Sequence, residues 1–177
     1  MGTILLAFLF MLAGQAPSTH EHQNTRCSYF FQYPPDWQVV KNPGDVAEEC
    51  VTTLRPADYE KRMAEFDVDV YTLTVQVYER SFLQVADENG FDFNGEWVVV
   101  GRQGATTGAE VSNNNGWLIL SGTAGVGCFH EKGGYAGLCE EKRVVAKYES
   151  DHRIVAISGN NAYLVDTILK TFKFLPR

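Results

Sequence analysis

The sequence predicts an α+β fold: an antiparallel β-sheet with helices packed on it, one of them an amphipathic helix at the C-terminal end. Two observations carry that prediction. From Trp97 to Ser158 the chain breaks into short apolar or alternating runs separated by Gly, Asn and Asp turns, the pattern of consecutive strands. After Asn161 the period changes: Leu164, Val165, Ile168, Leu169 and Phe172 fall on one helical stripe. Asp166 and Lys170 form an i, i+4 pair on the opposite side of that helix.

Element by element, His20–Arg26 reads as a polar N-terminal lead. "CSYFFQYPPDWQVV" reads as a hairpin, with strand Cys27–Gln32, a turn at Pro34-Pro35-Asp36 and strand Trp37–Lys41. Two prolines cannot continue a ladder, and Asp after them favours a turn. "CVTTLRP" is a third short strand ending at Pro56. Tyr59, Met63 and Phe66 mark a short helix over 57–66. "YTLTVQV" is an alternating strand, with Tyr71, Leu73, Val75 and Val77 on one face. Ser81 is a natural N-cap for a helix that Asn89-Gly90 stops. Strands follow at Trp97–Val100, Ala105–Val111, Trp117–Ser121, Gly125–Glu131, Lys142–Tyr148 and Arg153–Ser158. "NNNG" (113–116) and "ESDH" (149–152) have hairpin-turn composition.

Ile4–Ala13 is a nearly unbroken apolar run. It suits the central region of a secretory signal and falls short of the ~20 residues that span a bilayer as a helix. Small residues follow at Ala13, Gly14, Ala16 and Ser18, so cleavage is expected after Ser18, with Gly14 the alternative. The expected organisation is therefore a signal at 1–18, the polar lead at 19–26 and a single α+β domain over 27–177, secreted or periplasmic. No later stretch is long and apolar enough to be a transmembrane segment of the mature chain. The net charge of −7 excludes nucleic acid as an expected partner, because an acidic surface repels phosphates. The expected partner is a protein or small ligand in the extracytoplasmic space.

Four cysteines, Cys27, Cys50, Cys128 and Cys139, lie beyond the signal. An even count in an exported chain reads as two disulfides. Of the three connectivities, Cys27–Cys50 with Cys128–Cys139 needs the least rearrangement of the chain.

"CFHEKGGYAGLC" (128–139) holds most of the reactive chemistry. Cys128 with His130 or His152 has the residue types of a nucleophile and base, with Asp151 to orient a histidine, which makes a cysteine-dependent hydrolase the alternative function. An oxidised cysteine cannot attack, so the disulfide reading takes precedence. Zinc on Cys128, His130, Cys139 and His152 lacks the usual ligand spacing. His20 and His22 beside a free amine suit Cu²⁺ or Ni²⁺, but a polar tail with two histidines is the simpler reading. "GTAGVG" (122–127) lacks the Lys-Ser/Thr of a phosphate-binding loop, and its glycines read as sites of tight strand crossing or a bulge. No cofactor motif and no metal site is expected. Aromatic residues cluster through Phe91, Phe93, Trp97, Trp117, Phe129 and Tyr135. Most belong in a core. Phe91 and Phe93, in a turn-rich segment, together with Phe129, His130 and Tyr135, are the candidate partner-binding residues.

Two stretches carry a family resemblance. "FQYPPDWQVV" (31–40) resembles the opening hairpin of PsbP-like domains, the superfamily of the photosystem II extrinsic protein and the Ran-binding nuclear factor-like proteins. "DTILKTFKF" (166–174) resembles their closing helix and short aromatic strand, and "LRPAD" sits where such domains carry a Pro after their third strand. The resemblance implies a PsbP-like α/β/α sandwich and an accessory, partner-binding role. The family shares no catalytic residues, so none is carried over.

Overall fold

The computed structural model describes residues 18–40, 50–66, 72–129 and 134–177, with backbone alone at 63, 65, 66 and 129. Its centre is a seven-stranded antiparallel sheet in the order β3-β4-β5-β12-β11-β10-β9. These strands are β3 (Trp37–Val40), β4 (Val51–Pro56), β5 (Leu73–Tyr78), β9 (Glu110–Asn114), β10 (Trp117–Phe129), β11 (Tyr135–Tyr148) and β12 (Ile154–Gly159). One face is covered by α3 (Ala162–Thr171) and a small sheet of β1 (His20–Asn24), β2 (Tyr29–Tyr33) and β13 (Lys173–Phe174). The other is covered by α2 (Phe82–Glu88) and a second small sheet of β6 (Phe91–Phe93), β7 (Trp97–Val100) and β8 (Thr106–Gly108). Helix α1 (Tyr59–Phe66) follows β4.

Strand alternation distributes side chains between two cores. In β11, Val144 and Ala146 enter the first with Tyr29, Phe31, Leu164 and Ile168, while Val145 enters the second with Val85, Phe91 and Leu120. A central strand buried on both faces reads as a continuous apolar run, as "RVVAKY" and "RIVAIS" do. The fold is α+β and antiparallel as expected, but strands cover its faces as much as helices do, so the helix-packed sandwich holds only in part.

Several expected elements form with the predicted chemistry. Ser81 and Gln84 make a reciprocal capping box on α2, and Gly90 follows its C-cap with φ +75°. The β9–β10 turn has Asn115 at φ +51° and Gly116 at φ +80°, a type I′ turn whose twist matches its strands. The apolar stripe of α3 is buried at Leu164, Val165 and Ile168.

Others differ. The polar segment His20–Asn24 is a strand, because its backbone pairs antiparallel with β2 along its whole length. β2 and β3 form no hairpin: at Pro34–Asp36 the chain leaves the covering sheet and enters the central one. The expected strand Ala105–Val111 splits into β8 and β9, with the Ala109 N–H donating to the Trp97 carbonyl at 3.0 Å where the chain changes sheet. Trp117–Ser121 and the described part of Gly125–Glu131 are one continuous strand, because β11 supplies a partner through the glycines. Asp166 meets Lys142 of β11 at 2.6 Å rather than Lys170. Tyr71, Lys41 and the presumed signal up to residue 17 lie outside the described residues.

Candidate functional site

The long hairpin β10–β11 extends beyond its neighbours. Along β10, β9 reaches only Trp117–Ser121, and along β11, β12 reaches only Lys142–Lys147. The distal strands, Gly122–Phe129 and Tyr135–Glu141, pair within the sheet only with each other. A disulfide between Cys128 and Cys139 (Cα–Cα 5.8 Å) crosses this arm near its end. The second disulfide, Cys27–Cys50 (Cα–Cα 5.6 Å), joins the approach to β2 to that of β4. Both are the local pairing expected from the sequence.

The arm's glycines serve the close approach of the second covering sheet. A Cβ on Gly122 would collide with the Val99 side chain, and one on Gly101 would stand 2.8 Å from the Gly125 carbonyl oxygen. Thr107 Oγ1 donates to the Thr123 carbonyl at 2.6 Å, tying β8 to the arm. At the far end the Arg102 guanidinium lies 4.0 Å from the centroid of the Tyr135 ring, a favourable cation–π contact. Tyr135 is 50% and Leu138 67% exposed. Beside the arm opens a groove of about 610 Å³ lined by Thr107, Glu110, Thr123, Leu138, Glu140 and Lys142.

The candidate partner-binding residues do not form one patch. Phe91 is 1% exposed in the second core, where it is buried with Val99, Leu120 and Val145. It is therefore removed from the displayed set. Phe93, two positions on, is 58% exposed and stacks near Trp97 at 5.3 Å. Phe93 and Tyr135 lie at opposite ends of the small sheet, since β7 runs from Trp97 toward Arg102. The side chain of Phe129 and all of His130 lie outside the described residues. Arg102 was not singled out in the sequence. Leu138 had a signal, an apolar residue between Gly137 and Cys139 at a hairpin end.

The hydrolase reading is overturned at its nucleophile and at one of its bases. Every cysteine is disulfide-bonded, and Cys128 is 4% exposed. His152 stands in the turn at the other end of β11; the 11 residue steps from Gly137, opposite Cys128, to Tyr148 span roughly 36 Å at 3.3 Å per residue. Asp151 orients no histidine: Arg153 Nη2 donates to its Oδ2 at 2.5 Å and Nε to its Oδ1 at 2.9 Å. That contact holds the Asp151 carboxyl below the usual carboxylate range. Of the supposed zinc ligands, Cys128 and Cys139 are bonded to each other and His152 stands at the far end of β11. His22 Nε2 lies 3.1 Å from Thr52 Oγ1, which is 2.5 Å from the Tyr29 hydroxyl. Burial lowers the His22 pKa and raises that of Tyr29.

A second concavity, of about 440 Å³, is lined by Trp117, Tyr148, Phe172 and Phe174 with Arg153. Trp117 stacks on Phe174 at 5.7 Å and the Arg153 guanidinium lies 4.5 Å from the Phe174 ring centroid. The arginine donates to Asp151 and to the Ser28 and Leu175 carbonyls, so the group locks the C-terminus.

Fold and site together define an α+β antiparallel domain that presents a disulfide-stapled two-stranded arm. No family model matches the chain and no curated protein matches it. Among solved structures it is similar to the solution structure of cyanobacterial PsbP (CyanoP) from Synechocystis sp. PCC 6803, at 16% identity over 92% of this chain and 95% of that one, with a TM-score of 0.49. That protein bears the family name which the two sequence ends resemble.

Proposed function

We propose that the chain is an exported, non-catalytic binding domain that docks on a protein partner through the distal half of the β10–β11 arm. The observation that carries this reading is the arm itself. Its strands outrun β9 and β12, are cross-linked at Cys128–Cys139, and present Tyr135 and Leu138 to solvent. A cross-linked ribbon loses little conformational freedom on binding, and exposed aromatic and apolar side chains on it supply anchors. Export is supported by the apolar run Ile4–Ala13 and by the pairing of all four cysteines. Among the described residues no helix is long and apolar enough to cross a membrane.

The test is cross-linking in the native extracytoplasmic fraction with wild-type protein and with Tyr135→Ala/Leu138→Ser. Both substituted side chains are exposed, and Tyr135 gives up its contact with Arg102, so folding stability should stay within about 1 kcal/mol of wild type. A specific cross-linked partner should disappear with the double variant. A partner retained unchanged by that variant refutes the arm as the docking element.

A further inference from the structure

Strand β9 is the last strand of the central sheet, and all five of its residues, Glu110–Asn114, are exposed. Its type I′ turn fixes which backbone groups are used. In a two-residue hairpin the closing pair, Asn114 and Trp117, is hydrogen-bonded, so Ser112–Ile119 and Glu110–Ser121 are as well. The N–H and C=O groups of Val111 and Asn113 therefore point away from β10. Exposed edges are ordinarily guarded by Lys, Pro or a bulge. "EVSNN" has none of the first two, its register with β10 is unbroken, and its one charge is Glu110.

The edge is apolar on one face. Val111 is 54% exposed and sits opposite Leu120 of the second core; Leu118, opposite Asn113 on that face, is 37% exposed. The Ala109 N–H bond to the Trp97 carbonyl brings the half-buried Trp97 to the start of β9, with Phe93 beside it. Among the described residues an unpaired edge and an apolar patch thus coincide.

We propose that β9 pairs antiparallel with β9 of a second copy of this chain about a two-fold axis at Ser112. The strand is complementary to itself in that register. Val111 and the partner's Asn113 exchange both backbone hydrogen bonds, and the symmetric pair repeats them. Glu110 faces the partner's Asn114, an amide. The two Glu110 carboxylates are displaced by four positions, about 13 Å at 3.3 Å per residue, beyond the ~8 Å screening length at physiological salt. For a chain of net charge −7 that separation matters, since a register centred on Glu110 would set the two carboxylates opposite each other. The axis is perpendicular to the sheet, so the patches of Phe93, Trp97, Val111 and Leu118 adjoin on one side of a continuous sheet. The arm plays no part in this contact, so the two readings stand or fall separately.

Sedimentation of the mature protein over a concentration series should show a reversible shift from monomer to dimer. Ser112→Cys is the register probe. At the axis the two Ser112 residues form a non-hydrogen-bonded pair with Cα atoms about 4.5 Å apart, within the roughly 4.4–6.8 Å of a disulfide. Mild oxidation should give a reducible cross-linked dimer with Ser112→Cys and none with Glu110→Cys. Val111→Pro removes only an outward donor, so it should abolish the dimer while leaving the β9–β10 ladder intact; Val111→Lys serves if circular dichroism shows the proline variant misfolded. A monomer at every concentration, a dimer that Ser112→Cys does not cross-link, or one that survives both Val111 variants overturns the proposal. So does a monomer whose Val111-dependent complex forms only with a different chain.

Discussion

The half-buried His22 and the buried Arg153 are polar side chains that the fold uses in opposite ways. His22 is packed against Phe31 at 5.1 Å and bonded to Thr52, and burial depresses its pKa below 6.5. The folded protein thus holds His22 neutral where the unfolded chain begins to protonate it. Stability is complete above pH 6.5 and declines as pH falls from there through the folded value. Equilibrium urea unfolding between pH 7.5 and 5 should show this slope, and His22→Gln should flatten it. Arg153, 7% exposed at its side chain, bridges the Ser28 and Leu175 carbonyls and the Asp151 carboxylate. Asp151 is the depressed carboxylate, so its contribution is present above pH 4 and lost as pH drops through its folded pKa. Replacing Arg153 by Met strands that carboxylate and two carbonyls, at an expected cost of about 3–5 kcal/mol; denaturant midpoints measure it. Neither role was legible from sequence. Asp151 beside His152 suggested a catalytic orienter because adjacency along the chain is visible and the reach of a guanidinium to Ser28 is not.

At the scale of elements, turn and cap chemistry was legible because it is local. Asn115-Gly116, Ser81 with Gln84, and the stripe of α3 each depend on residues a few positions apart. What failed was pairing. A polar strand such as His20–Asn24 has no apolar signature, yet it forms because β2 offers it a complete ladder. The glycines of 122–127 suggested an interruption, and tertiary pairing with β11 overrode their low strand propensity. Their crossing role was readable, and it gives a sharp test. Gly122→Ala places a methyl group against Val99 and should destabilise by about 1–3 kcal/mol through overpacking. The paired change Gly122→Ala with Val99→Ala should recover part of that loss, measured as a double-mutant cycle in chemical denaturation.

The two disulfides act on different parts of the whole molecule although they close loops of comparable size. In the chain-entropy model, separations of 23 and 11 residues are each worth about 3 kcal/mol against the unfolded chain. That model alone predicts similar losses for the two deletions. The native packing separates them. Cys27 is 4% exposed inside the first core, beside Tyr29 and Phe31, and its partner Cys50 precedes the strand that carries Leu54. Removing this link loosens the covering sheet from the central one, so Cys27→Ala/Cys50→Ala should lower global stability by the full entropic amount or more. Cys128 and Cys139 instead join strands already held in register from Trp117 to Cys128, at the end of an arm that neither β9 nor β12 supports. The distal half can then open without the rest of the sheet. Cys128→Ala/Cys139→Ala should therefore accelerate amide exchange of Thr123–Gly127 and Tyr135–Glu140 while leaving Val144–Ala146 and Val155–Ile157 protected. Hydrogen exchange read residue by residue distinguishes the two outcomes. Equal deprotection of β12 in this variant would mean that the arm and the sheet open as one unit.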